Sequence, residues 1–267
     1  MHLDFYKNNK CYSETLRDSD PRQYQALPQV CSSQSFYQKY AQALRDITKP
    51  SPVILDVGCG VGQVVRSLTE AGCQAFGVEV SEANLALARE HPGDFHLYDG
   101  STLPFADHTV DVVGAFNVLE HVEDPVALLD EMTRVLRPGG RIVISSPNFL
   151  RVLGWRDYHP HMRGFLQKWR NAKTLLRHLN AYAGDPKAVI FEKMMPIQRE
   201  PFQPDDDAIA VTNAVDFCRY LKSRNYTKVR VSCVDRPVPK WIEILLDSTP
   251  LRYVILNSFV IAEKLDC

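Results

Sequence analysis

A chain of 267 residues with 45% hydrophobic and 24% charged residues has the make-up of a folded globular protein, which excludes a disordered or fibrous one. Lys and Arg number 31 and Asp and Glu 32, a net charge of −1 that excludes a chain-wide basic surface for nucleic acid or another polyanion. The seven cysteines are an odd number with no pair at CxxC spacing, so neither a disulfide framework nor a zinc ribbon is indicated, and reduced thiols are expected. The opening MHLDFYKNNKCYSETLRDSD has no basic stretch leading into an apolar run. No window reaches the roughly 18 apolar residues of a spanning helix, and a cytoplasmic protein is expected.

Residues 1–50 are polar and rich in Tyr and Gln, and read as an N-terminal helical cap. Phe36, Tyr40, Ala43, Leu44 and Ile47 recur at helical spacing within residues 33–47. After Pro50 and Pro52 the β-branched run VILDV (53–57) ends in glycines, as a buried parallel strand does. QVVRSLTEAG reads as a helix stopped by Gly72, QAFGVEV as a strand, SEANLALARE as a helix capped by Ser81, and FHLYD as a strand. VDVVGAFN follows as a strand. DPVALLDEMTRVL is a helix with Asp124 as cap and Pro125 at its first position, and the turn RPGG feeds the strand RIVISSPN. Strand–helix alternation of this kind predicts an open, parallel α/β sheet covered by helices.

The alternation breaks after Asn148. Residues 151–204 hold six Arg and four Lys against two Asp and two Glu, a local net of +6. Within them Phe165, Trp169, Ala172, Leu176 and Leu179 fall on one helical face with Lys168, Arg170, Lys173 and Arg177 largely off it, predicting a basic amphipathic helix closed by Gly184 and Pro186. The apolar stripe is expected to pack onto the protein itself in preference to an anionic membrane surface. A helix near 214–223, a strand at 228–234 and a last strand within 252–265 complete the chain.

The sharpest chemical signal is Asp56-Val-Gly58-Cys59-Gly60-Val-Gly62, where a strand runs into a helix. Glycines let the backbone approach a ligand closely, and the helix start offers unpaired N–H groups. The dinucleotide spacing G-x-G-x-x-G is absent, because Gln63 stands three residues after Gly60. Asp56 beside the turn also suits a cationic ligand and repels a pyrophosphate. Cys59 reads as a small filler with no base tied to it.

At these residues the chain resembles the class I S-adenosylmethionine-dependent methyltransferases, over residues 53–148, and among them the ubiquinone and menaquinone biosynthesis type. VILDVGCGVG is similar to the family's first motif, and Glu79 with Val80 to the acid that bonds the ribose hydroxyls. Asp99, Gly100 and Ser101 match the adenine-facing position, and Asn117 the position whose backbone lies by the methionine amino group. The resemblance implies a Rossmann-like, mostly parallel seven-stranded sheet with helices on both faces and the last strand antiparallel. It also implies S-adenosyl-L-methionine as cofactor, S-adenosyl-L-homocysteine as product, and a substrate-binding, lid-like insert at 151–204 between a core of 51–150 and its completion at 205–267.

For the acceptor, a small organic molecule is expected, anionic or lipid-like, with O-methylation slightly preferred. Nucleic acid is disfavoured, since NVLE stands where amino-methylating enzymes carry an N-P-P-[YFW] tetrad. His121 and His159 are the candidate catalytic bases. Arg156, Arg163, His159 and Tyr158 could bind an anionic group. Asp157, His159 and His161 alternate along an extended stretch, but Pro160 separates the histidines and no metal site is expected. Tyr6, Tyr12, Tyr24 and Phe36 are candidates to close over the cofactor. The rivals are an NAD-dependent oxidoreductase and a cofactor-binding, catalytically silent subunit.

Overall fold

The computed structural model describes residues 37–154, 157–185, 187–199, 205–234 and 239–265. Tyr6, Tyr12, Tyr24, Phe36 and Arg156 lie outside them, as does most of the expected N-terminal cap. Seven strands are hydrogen-bonded in the order β3-β2-β1-β4-β5-β9-β8, with β1 (Val53–Val57), β2 (Gln74–Glu79), β3 (Asp94–Leu97), β4 (Val110–Phe116), β5 (Leu136–Ser146), β8 (Tyr226–Ser232) and β9 (Ser258–Lys264). β1 runs parallel to β2 and β4, β2 parallel to β3, and β8 antiparallel to β9. The expected mostly parallel sheet with an antiparallel last strand is therefore present.

Two compact units make up the described chain: residues 37–116 with 130–143, and residues 117–129 with 144–265. In the first, α1 (Gln38–Arg45), α2 (Gln63–Glu70) and α3 (Glu82–Ala88) accompany β1 to β4. Every residue of β4 is buried, as is all of β1 after Val53. This matches the unbroken apolar runs of a strand covered on both faces, where each buried Val or Phe contributes about 1.5–3 kcal/mol. Ser81 caps α3, its hydroxyl accepting from the Asn84 N–H at 3.3 Å. α4 (Pro125–Val135) starts under Asp124, whose Oδ1 accepts from the Val126 and Ala127 N–H groups at 3.0 and 3.1 Å. The RPGG expected as a turn lies inside β5, with Gly139 at φ +70° supplying the bend.

The second unit holds the long α5 (Phe165–Gly184), α6 (Ala214–Ser223) and α7 (Lys240–Asp247), together with a small antiparallel pair, β6 (Glu192–Lys193) with β7 (Ala210–Val211). α7 and the β6–β7 pair have no counterpart in the sequence reading. One expectation is overturned here: the apolar stripe of α5 does not pack inward. Phe165 is 83% exposed, Trp169 52% and Leu176 60%, while the buried residues of the helix are Asn171, Leu175, His178 and Tyr182. The reason is satisfied polarity. The Asn171 amide donates to the carbonyls of Phe149, Arg151 and His161 at 3.0, 3.1 and 2.9 Å, so a polar face is buried without an orphaned group.

Candidate cofactor site

The glycine loop is built by its neighbours. Gly58 and Cys59 both donate their N–H to the Val78 carbonyl, at 2.8 and 3.0 Å, which folds the chain back beside the end of β2. Gly62, at φ +78°, opens α2, and a β-carbon there would lie 2.6 Å from the Phe95 ring, so only glycine fits. Gly60, at φ +54°, has open space where its β-carbon would be, leaving room for a ligand against the backbone.

Glu79 ties this loop to its strand. Its Oε2 accepts from the Gly60 N–H at 3.0 Å, and its Oε1 from the N–H groups of Val80 and Ser81 at 2.8 and 3.0 Å. A carboxylate has about four acceptor directions, so one stays open after these three bonds. Burial pushes its pKa up against the opposing pull of those donors.

Asp56 sits in register with Gly77 on β2 and Gly114 on β4, two strand glycines that clear space around it. A β-carbon at Gly77 would meet Cys59 Sγ at 2.6 Å, and one at Gly114 would meet the Tyr40 hydroxyl at 2.3 Å. That hydroxyl donates to Asp56 Oδ1 at 2.7 Å, with both residues buried. Burial drives the Asp56 pKa to about 7, the Tyr40 hydrogen bond opposes the rise, and the Glu79 charge adds to it. Cys59 is held well above the usual thiol range by burial and by the same two acids, which fits a filler and not a nucleophile. Among the described residues neither Asp56 nor Glu79 has an ion-pair partner. Two buried acids facing one loop without a cation make a site that is completed by positive charge.

The remaining expected positions are more local. Asp99 is exposed and accepts from the Ser101 N–H (2.7 Å), the Ser101 hydroxyl (2.9 Å) and the Thr102 N–H (2.9 Å), a turn in which Gly100 takes φ +91°. Asn117 follows β4 at φ +53° with its N–H on the Ser145 carbonyl at 2.9 Å, one of the few non-glycine residues in the left-handed region. Sequence reasoning missed Tyr40 as a site residue. The signal available was Gly114 alone inside an apolar strand, which marks a close approach.

In the second unit, His121 ends a short 3-10 helix (Leu119–His121). Burial would lower its pKa, but Asp207, Glu120 and Asp205 outweigh that and raise it, favouring the imidazolium over the form a general base needs. His159 is buried, accepts at Nδ1 from the His161 N–H (3.2 Å), and is lowered to about 4 chiefly by burial, so it stays neutral. Asp157 is held by Arg151 at 3.0 Å and Lys168 at 2.8 Å. Arg163 donates to the Asp157 carbonyl, and Tyr158 to Asp205 Oδ2 at 2.5 Å. A second buried group went unread: His178 lies between Asp216 (3.0 Å from Nδ1) and Glu192 (3.1 Å from Nε2), with Tyr182 donating to Asp216 at 2.6 Å. Both ring nitrogens face carboxylates, so both carry protons, and the pKa is raised by these partners in spite of burial.

Residues 55–144 match the family model described as a methyltransferase domain. An uncharacterized methyltransferase of Mycolicibacterium vanbaalenii is 45% identical over 108 residues, covering 39% of this chain and 42% of the relative. A ubiquinone biosynthesis O-methyltransferase of Idiomarina loihiensis is 35% identical over 157 residues, covering 51% of this chain and 63% of the relative. The chain thus spans less than two thirds of the length of both curated relatives. In fold it is similar to an S-adenosylmethionine-dependent methyltransferase from Mesorhizobium loti, with a TM-score of 0.54 at 19% identity over 84% of this chain and 98% of the other. The acid-lined glycine loop, the strand order and the matched span agree: residues 55–144 are similar in sequence to a methyltransferase domain, within a fold similar to that of S-adenosylmethionine-dependent methyltransferases.

Proposed function

We propose that the protein transfers a methyl group from S-adenosyl-L-methionine to a small organic acceptor, a hydroxyl being slightly preferred. The observation that carries this reading is the pair of buried acids, Asp56 and Glu79, facing the Gly58–Gly62 loop with no cation paired to them among the described residues. The cofactor has a sulfonium and an α-ammonium, and their positive charge fits that donor set where a pyrophosphate would be repelled. Bound there, it supplies an already activated methyl group.

The work left to the chain is holding, orienting and excluding water. Glu79 fixes the loop through Gly60, and Tyr40 orients Asp56. Asp99 with Gly100 and Ser101, Val80 beside Glu79, and Asn117 are the further residues we assign to cofactor binding. The insert at 151–204 is our choice for acceptor binding, and the likeness to the ubiquinone O-methyltransferase supports a hydroxyl acceptor.

Calorimetric titration with S-adenosyl-L-methionine and, separately, NAD tests the reading. Saturable binding of the first, weakened at least about 100-fold in Asp56→Ala and at least about 10-fold in Glu79→Ala, is expected. Binding of NAD instead, or of neither, overturns it, and cofactor binding with no methyl transfer across an acceptor panel favours the silent subunit.

The exposed α5 stripe favours a second reading, in which the acceptor is lipid-like and met at an anionic membrane surface. Phe165, Trp169 and Leu176 lie open beside Arg170, Lys173 and Arg177, and the Lys173 ammonium sits 3.4 Å over the Trp169 ring. No helix among the described residues is long and apolar enough to cross a membrane, so contact would be peripheral. Co-sedimentation with anionic liposomes at low salt checks this, and absence of binding removes it.

A further inference from the structure

We propose a divalent metal site in the second unit, formed by Glu120, His121 and Asp205, where none was expected from the sequence. One ligand atom from each residue lies within 4.8 Å of the other two. His121 Nε2 is 3.8 Å from Glu120 Oε1 and 4.0 Å from Asp205 Oδ1. Small side-chain rotations bring such atoms to the separations that bonds of about 2.0–2.2 Å to one ion require.

The site is not merely acidic, because each ligand is held from behind. Glu120 is fully buried; its Oε2 is 2.9 Å from the Ser146 hydroxyl, and its Oε1, without a hydrogen-bond partner among the described residues, lies 3.8 Å from His121 Nε2. Asp205 is anchored through Oδ2 by Tyr158, which leaves Oδ1 directed at His121. His121 turns Nδ1 toward Asp207, 3.6 Å away, which leaves Nε2 toward both carboxylates. Two carboxylates, each fixed through one oxygen and offering the other toward His121 Nε2, give the outer-shell support that orients metal ligands. Asp205 also holds a left-handed backbone at φ +62°, a strained conformation for a side-chain-bearing residue and one that concentrates at functional sites.

The Ser146 hydroxyl that meets Glu120 is itself braced. The Thr212 hydroxyl donates to the Pro147 carbonyl at 2.9 Å, and the Ser146 hydroxyl donates to Thr212 Oγ1 at 2.7 Å. The Ser146 hydroxyl also lies 2.9 Å from Glu120 Oε2, so it bridges that carboxylate and Thr212. One imidazole with two carboxylates suits Mn²⁺ or Zn²⁺ better than Ca²⁺.

The test is titration of the purified, metal-stripped full chain with Mn²⁺, read by electron paramagnetic resonance, and with Zn²⁺ by calorimetry, both without cofactor. The expected result is one ion per chain, and affinity at least about tenfold weaker in Glu120→Gln and in Asp205→Asn. Asp205→Asn guards against a folding defect at the fully buried Glu120, with circular dichroism checking both variants. No saturable binding, or binding unchanged in both folded variants, overturns the site. Because cofactor and acceptor are absent, neither outcome bears on methyl transfer.

Discussion

The carboxylates beside the glycine loop and those under α5 are balanced in opposite ways. Around the glycine loop Asp56 and Glu79 receive only neutral donors: a tyrosine hydroxyl, three backbone N–H groups and no cation among the described residues. Under α5, Asp216 and Glu192 enclose His178, and Asp206 is clasped by Arg199 through two 2.7 Å bonds. Internal neutralisation yields a structural pin, whereas a charge deficit left inside a fold is a vacancy for a ligand. The difference separates sites from scaffold without reference to any motif.

The comparison breaks most easily at the pin. His178→Ala should destabilise the protein by about 3–5 kcal/mol in urea unfolding, because Asp216 is left buried without its counter-charge, while cofactor affinity of the folded fraction stays unchanged. Next comes Gly114→Ala, whose methyl would meet the Tyr40 hydroxyl. It should cost about 1–3 kcal/mol and also weaken cofactor binding, and Tyr40→Phe in the same chain should be less than additive. Full additivity would show that the contact is not shared.

A third effect is pH. Asp56 has a folded pKa of about 7 against 3.8, so the native state keeps a proton that the unfolded chain has lost between those values. Stability of the cofactor-free protein should fall as pH rises from about 4 to 7, by up to about 1.4 kcal/mol per pH unit for this group. Saturating cofactor, or Asp56→Asn, should flatten that part of the slope. His178 acts in a different window: its raised pKa gives stability that is complete below the ordinary histidine value and lost as pH passes through the raised one. Unfolding midpoints at four pH values, with and without cofactor, separate the two. The smallest effect is at the exposed stripe, where Phe165→Ala and Trp169→Ala should change stability by no more than about 0.5 kcal/mol, yet reduce liposome co-sedimentation.

Most of the strands and the loop acids were legible because they depend on local rules. β-Branched runs, Gly72 and Ser81 as helix stop and cap, and Asp56 ahead of three glycines each state their structure within a few residues. α5 was legible as a helix and misread as a surface. Periodicity counts apolar side chains, and it had no means of knowing that Asn171 would find three carbonyls or that His178 would find two carboxylates. Asp205 is 84 residues along the chain from His121, so their convergence is a product of the fold. Tyr40 was placed on the correct helix, but its bond to Asp56 depends on a missing side chain on β4.

That bond has a consequence for where the unit around the glycine loop begins. The match to the methyltransferase-domain model starts at residue 55, and a fragment cut there would keep every position of that match. It would nevertheless leave behind the hydroxyl that steers its first acid. The portable unit is longer than the recognisable one, and grafting this domain onto a new partner requires carrying α1 along with it.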